Sequence, residues 1–125
     1  MRQRVFTGSP MEKTAGYSRA IACGAFAHVA GTTGYDYETM QMPVSVTEQT
    51  QNTIETIQRA LEELGFTLND VVRATYYATS RDYVDNIFAV VGSVFVDVRP
   101  AATLIVCDLA DPAMKVEIEV TAQKR

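Results

Sequence analysis

The last quarter of the chain restricts the fold more than any other stretch. Arg99-Pro100-Ala101-Ala102-Thr103-Leu104-Ile105-Val106-Cys107 is a Pro-led apolar run, and Asp108 to Ala113 is a short Asp/Pro connection. Lys115-Val116-Glu117-Ile118-Glu119-Val120-Thr121 then alternates strictly, with Val116, Ile118 and Val120 on one face and Glu117, Glu119 and Thr121 on the other. This is the pattern of a strand with one buried face. Two carboxylates at i and i+2 on a strand lie roughly 7 Å apart on the same side of the sheet. On an open face such a pair is a solvated surface. In a cleft, repulsion and desolvation raise at least one of the two pKa values. The pattern alone leaves the solvated face as the plainer reading.

The preceding chain supplies strands and helices to place around this one. Gln3 to Thr7 reads as a strand ended by Gly8-Ser9-Pro10. Tyr17 to Cys23 and Phe26 to Ala30 read as two more, joined by a tight turn at Gly24-Ala25. His28, the only histidine, shares a strand face with Phe26 and Ala30. A lone strand histidine is more often packed or surface-lying than catalytic, and without a second histidine or a nearby cysteine it supports no zinc site. Gly31 to Tyr37 reads as a loop that could offer backbone N–H groups to a small anion, but it lacks the spacing of a phosphate-binding loop.

Ser45 and Glu48 have the spacing of a capping box. Val46, Thr50, Thr53, Ile54, Ile57, Leu61 and Leu64 follow on one helical face, and Gly65 ends the helix. Gln49, Gln51, Glu55, Gln58, Arg59 and Glu62 fall on the other face, so this helix covers a sheet. A strand is expected over Val71 to Thr79, with Val72, Ala74, Tyr76 and Ala78 pointing one way and Arg73, Thr75, Tyr77 and Thr79 the other. A second helix starts at Ser80 and runs through Tyr83, Ile87, Val91 and Val94, although Val90 to Val96 is β-rich by propensity.

The order β-β-β-α-β-α-β-β in 125 residues, with no repeat or linker, predicts a single α+β domain whose sheet carries two helices on one face. The opposite face carries Arg73, Tyr77, Glu117 and Glu119 amid apolar residues, the composition of an oligomer surface with clefts between subunits. A net charge of −4 and a pI near 4.9 exclude a typical nucleic-acid surface. Ala20 to Ala30, the best apolar stretch, is too short for a bilayer and contains His28. The basic start Met1-Arg2-Gln3-Arg4 is not followed by an apolar segment, and Cys23 and Cys107 lack C-x-x-C spacing. A soluble cytoplasmic protein with reduced thiols is expected, without nucleic-acid or membrane partners.

Ala15-Gly16-Tyr17-Ser18, Val29-Ala30-Gly31-Thr32, Glu48 to Thr53, Val71 to Thr75, Arg99-Pro100-Ala101 and Val116 to Glu119 together resemble the Rid (YjgF-type) family over nearly the whole chain. The resemblance implies a chorismate-mutase-like α/β (α+β) subunit with a six-stranded mixed sheet covered on one face by two helices. It also implies a homotrimer with a central barrel and a small-molecule cleft at each subunit interface. Founding members of the family are imine/enamine deaminases, which hydrolyse 2-aminoacrylate-like intermediates without metal or organic cofactor. On this basis Glu117 corresponds to the catalytic glutamate, with Tyr17, Gly31, Ala102, Thr103 and Leu104 at substrate-binding positions.

One departure limits the transfer. The deaminase subfamily has an arginine after the Pro-Ala step that pairs with the substrate carboxylate, and Ala102 stands there. A methyl group cannot replace a bidentate guanidinium. Leu104 occupies the position of a cleft cysteine, a role that Cys107, of opposite strand parity, does not inherit. An asparagine common on the second helix has no clear match, since Phe88 stands there and Asn86 lies two residues away. Arg73 and Arg99 are the arginines considered as substitutes for the lost charge. The expected function is hydrolysis of an imine, enamine or related small carbonyl-derived compound at inter-subunit clefts, with weak or no activity on 2-aminoacrylate. The alternative is a non-catalytic trimeric module that binds a small ligand or regulates a partner. Nuclease activity sits poorly with the acidic composition.

Overall fold

The computed structural model describes residues 2–125. In chain order the elements are β1 (Gln3–Val5), α1 (Pro10–Ala15), β2 (Ala20–Cys23), β3 (Phe26–Thr33), α2 (Val46–Glu63), β4 (Val71–Ala78), α3 (Val84–Val94), β5 (Ala101–Val106) and β6 (Val116–Gln123), with 3-10 turns at Leu68–Asp70 and Arg81–Tyr83. The strands form one sheet of order β1-β2-β3-β6-β4-β5. Neighbours are antiparallel except β4 and β5, which are parallel and joined through α3. The C-terminal strand lies in the middle of the sheet, between β3 and β4. That position explains its strict alternation: Val116, Ile118, Val120 and Ala122 are buried under the helices while Glu117, Glu119 and Thr121 occupy the other face.

Two helices cover that apolar face, as the periodicity implied. On α2 the residues Val46, Thr50, Thr53, Ile54, Ile57 and Leu61, and Leu64 just beyond it, are all buried. The Ser45 hydroxyl accepts a hydrogen bond from the Glu48 backbone N–H at 3.2 Å. The reciprocal bond of a full capping box is not made among the described residues, so only half of that expectation holds. Gly65 takes the left-handed conformation, φ 82°, that a helix end requires. The β-rich run after Phe88 folds as α3 because Ile87, Val91 and Phe95 are buried against the core, and that burial outweighs β propensity.

Five expectations need correction. A short helix, α1, occupies Pro10–Ala15, a segment to which the sequence assigned no element; Pro10 stands at its first position, where the missing N–H costs nothing. Regular pairing in β2 begins at Ala20 rather than Tyr17, and β3 extends to Thr33, which takes Gly31 to Thr33 out of the expected loop. A register shift between Val71 and Arg73 buries Val71 and leaves Val72 exposed, so Val72 does not share the face of Ala74, Tyr76 and Ala78. Gln49, expected on the outer face of α2, is fully buried. Its amide donates to the carbonyls of Pro43 (2.7 Å) and Ala113 (3.0 Å) and its oxygen accepts from Lys115 N–H (2.9 Å). It ties the start of α2 to the loop that leads into β6. Gly34 permits this approach, since a Cβ there would lie 2.6 Å from the Gln49 Cα.

Candidate active site

The chemistry-bearing side chains gather where β3, β6 and β4 present their uncovered face. The β3–β6 register shifts between Val29, paired with Val120, and Thr32, paired with Ile118, so Ala30 and Gly31 form an irregularity opposite the single residue Glu119. There the Glu117 carboxyl group lies directly over Gly31. A Cβ on Gly31 would come within 2.5 Å of Glu117 Oε2 and 3.0 Å of its Cδ. Only the absence of a side chain at position 31 lets the carboxyl lie on the β3 backbone. Burial pushes the Glu117 pKa up, the Glu119 carboxylate pushes it further, and the Arg19 guanidinium pulls it partly back. Among the described residues, no side-chain hydrogen bond reaches the Glu117 carboxyl, so its oxygens are free for a ligand.

Beneath this spot runs a network that the sequence reading did not single out. Arg19, immediately before β2, is 1% exposed. Its Nη1 donates to the Gly31 carbonyl (2.8 Å) and to Thr32 Oγ1 (3.1 Å). Its Nε and Nη2 donate to Glu12 Oε2 at 3.3 and 3.2 Å, and Nη2 also reaches the Tyr17 hydroxyl at 3.5 Å. The guanidinium lies 4.8 Å from the Tyr37 ring centre and 5.5 Å from that of Tyr17. Glu12 is buried and also accepts from the Thr7 N–H (3.0 Å) and the Thr7 hydroxyl. A buried pair of this kind is tolerable because its donors and acceptors are matched. Its role here is to fix the Gly31 carbonyl and the Tyr17 ring. The available signal was an arginine immediately before an apolar run, Ala20-Ile21-Ala22-Cys23, following a glutamate in a segment without predicted structure.

On the far side of Glu117 lies a second polar pair. Tyr77, opposite Glu117 in the β4–β6 register, donates its hydroxyl diagonally to Glu119 Oε1. That hydrogen bond, with smaller contributions from burial and the nearby acidic groups, raises the Tyr77 pKa.

The candidate residues divide between two places. Tyr17, Gly31 and Glu117 come together around Arg19. Ala102 and Leu104 do not join them within one chain. On the edge strand β5 they pair with Ala74 and Tyr76, whose side chains face the helices, and Leu104 packs against the core. Thr103 points to the uncovered face, where its hydroxyl accepts from Arg73 Nη2 at 2.8 Å. Arg73 is therefore engaged beside β5, four residues along β4 from Tyr77, and does not reach Glu117. His28 is exposed on the same face, stacked on Phe26, with Nδ1 3.2 Å from Thr121 Oγ1. Asn86 donates to Thr47 Oγ1 at 3.2 Å and Phe88 is exposed. A separate cavity of about 550 Å³ lies between α2 and residues 35–38 and includes none of Tyr17, Gly31 or Glu117. No group of described residues has the arrangement of a metal site, and no helix among them is long and apolar enough to cross a membrane.

A six-stranded sheet with helices on one face and a carboxyl-bearing, partly apolar opposite face defines a chorismate-mutase-like α+β subunit. The family profile described as Endoribonuclease L-PSP matches residues 7–124. A RutC family protein of Pyrococcus abyssi is 32% identical over 124 residues, 98% of each chain. An uncharacterized protein of Streptomyces coelicolor is 35% identical over 98% of this chain and 92% of its own. The crystal structure of a Mycobacterium tuberculosis YjgF family member matches with a TM-score of 0.91 at 34% identity, over 99% of this chain and 100% of that one. The Escherichia coli YjgF gene product has a TM-score of 0.87 at 18% identity, covering 98% of both, a likeness of fold. The chain belongs to the Rid (YjgF-type, L-PSP) family.

Proposed function

We propose that this protein is a cofactor-independent hydrolase of small imines or enamines that lack a carboxylate next to the C=N carbon, acting in clefts between the subunits of a homotrimer. The observation that carries the reading is the Glu117 carboxyl: half-buried, raised in pKa, unpartnered, and laid over the bare backbone of Gly31. A carboxyl poised in this way can take a proton from water as the oxygen attacks the C=N carbon, and can return one to the departing nitrogen. Water adds across the C=N bond to give a carbinolamine. Its C–N bond then breaks, leaving a carbonyl compound and ammonia. Tyr17, held against Arg19, forms a wall of the cleft beside Gly31.

Substrate choice follows from charge. All five N–H donors of Arg19 lie among acceptors of its own chain, and Arg73 is engaged with Thr103. Neither of these two guanidinium groups is free to stand in for the one that the deaminases place at the position of Ala102. In a ring of three subunits the exposed edge strand β5 is the element available to bring Ala102 and Leu104 of one chain toward Glu117 of the next. A lost charge-assisted hydrogen bond of about 1.5–3 kcal/mol corresponds to roughly ten- to a hundred-fold in binding. Imines generated in situ, with and without a carboxylate, provide the test. Turnover should favour those without, Ala102→Arg should raise activity on carboxylated imines, and Glu117→Gln should lower turnover by about 10²-fold or more. Rapid hydrolysis of 2-aminoacrylate by the native protein would overturn the substrate assignment. Ligand binding without turnover of any imine would establish the second reading, a binding module, which the missing arginine favours.

A further inference from the structure

Glu117 and Glu119 share one face of β6, about 7 Å apart by strand geometry. Tyr77 links them without touching both in the same way. In register it stands opposite Glu117, while its hydroxyl donates to Glu119 on the diagonal. The ring thus crosses diagonally from β4 and holds the Glu119 carboxyl in place on the face that it shares with Glu117. We propose that Tyr77 is a positioning residue: its hydroxyl anchors the Glu119 carboxylate on the face it shares with Glu117, so that a second carboxylate stands at a fixed place beside the first. This deepens the hydrolytic reading of the site and rests on it for its catalytic meaning, though not for its test.

The other charged and titratable groups around Glu117 do not supply such a charge. From the β2 side Arg19 acts in the opposite sense, favouring the ionised carboxyl. Tyr17 lies beyond it, against the guanidinium. Lys115 has the same strand parity as Glu117, but its ammonium is drawn away to the Val44 carbonyl at 2.6 Å and lies 5.5 Å from the Tyr83 ring centre. Cys107 lies near Tyr77, on the β5 side. Among the described residues, Glu119 is the carboxylate that shares the face of Glu117 on the same strand, and its charge disfavours ionisation of Glu117. An unanchored glutamate on an open face would swing into solvent, where water screens it. The anchor converts a mobile surface charge into a fixed one.

The test is a carbon-13 NMR titration of the Glu117 side-chain carboxyl in the native protein and in Glu119→Gln, Tyr77→Phe and the double variant. Glu119→Gln keeps an oxygen that accepts from Tyr77 and removes only the charge, so the fold is retained; thermal melts of each variant check this. The Glu117 midpoint should fall in Glu119→Gln. It should fall by less in Tyr77→Phe, and the double variant should fall no further than Glu119→Gln alone. An unchanged midpoint in Glu119→Gln would overturn the proposal. So would a Tyr77→Phe midpoint equal to the native one, which would leave Tyr77 as packing only. None of these measurements requires turnover, so they stand or fall separately from the assignment of imine hydrolysis.

Discussion

Gly31 and Glu117 are the two residues whose pairing defines the site, and each constrains the other. The backbone at Gly31 does not adopt a positive φ, so alanine would be accepted by the strand itself. What it would displace is the Glu117 carboxyl, a flexible side-chain end that can move. Gly31→Ala should therefore leave the thermal midpoint near native while reducing imine turnover by roughly a hundredfold, the usual cost of about 1 Å of misplacement. Comparing melting curves with steady-state rates checks both halves. Glu117 also makes stability depend on pH. Because its folded pKa lies above the ordinary glutamate value, the native state binds more protons than the unfolded chain between the two values. Stability contributed there is present below the ordinary value and is lost as pH rises through the folded one. Glu117→Gln, which carries no charge, should be more resistant to urea than native protein at neutral pH. The difference should vanish in acid, and urea titrations at several pH values would show it.

At the scale of elements, the junction of α2 with the β6 approach depends on one amide. Gln49 satisfies two carbonyls and one N–H from three separate segments, each within hydrogen-bonding distance and shielded from water. Gln49→Ala leaves these buried groups without their partner, at a cost of about 2–4 kcal/mol. Chemical denaturation should register that loss, and the Lys115 amide should exchange with solvent faster. Its effect should reach the site, because the segment Gln49 holds leads directly into Val116 and Glu117. The edge strand β5 is a contrasting case. It is exposed over most of its length, with Ile105 43% and Val106 42% accessible, and has a neighbour on one side only. An apolar, singly paired strand of this kind is stable in solution when something covers it.

For the whole molecule, that edge and the uncovered sheet face argue for assembly. Phe26, Ile105, Tyr77 and Glu119 mix apolar surface with carboxyl groups that a 125-residue chain cannot bury by itself. Light scattering should return three times the 13.8 kDa of one chain, and a stable monomer would refute the trimer. The sequence determined much of the architecture because its signals are local. Alternation in β6 and the three-and-four spacing of α2 each report which side of an element meets the core, and the structure places those faces together. The family resemblance carried the fold and pointed to Tyr17, Gly31 and Glu117. What the sequence could not show is contact between segments far apart in the chain. That Arg19 is spent on Glu12 and the Gly31 carbonyl, that Gln49 turns inward, that Tyr77 reaches Glu119, and that Ala102 faces away from Glu117 all depend on strand register and on a bulge. A one-residue shift in register moves every side chain of a strand to the opposite face, so these contacts were decided only by the tertiary structure.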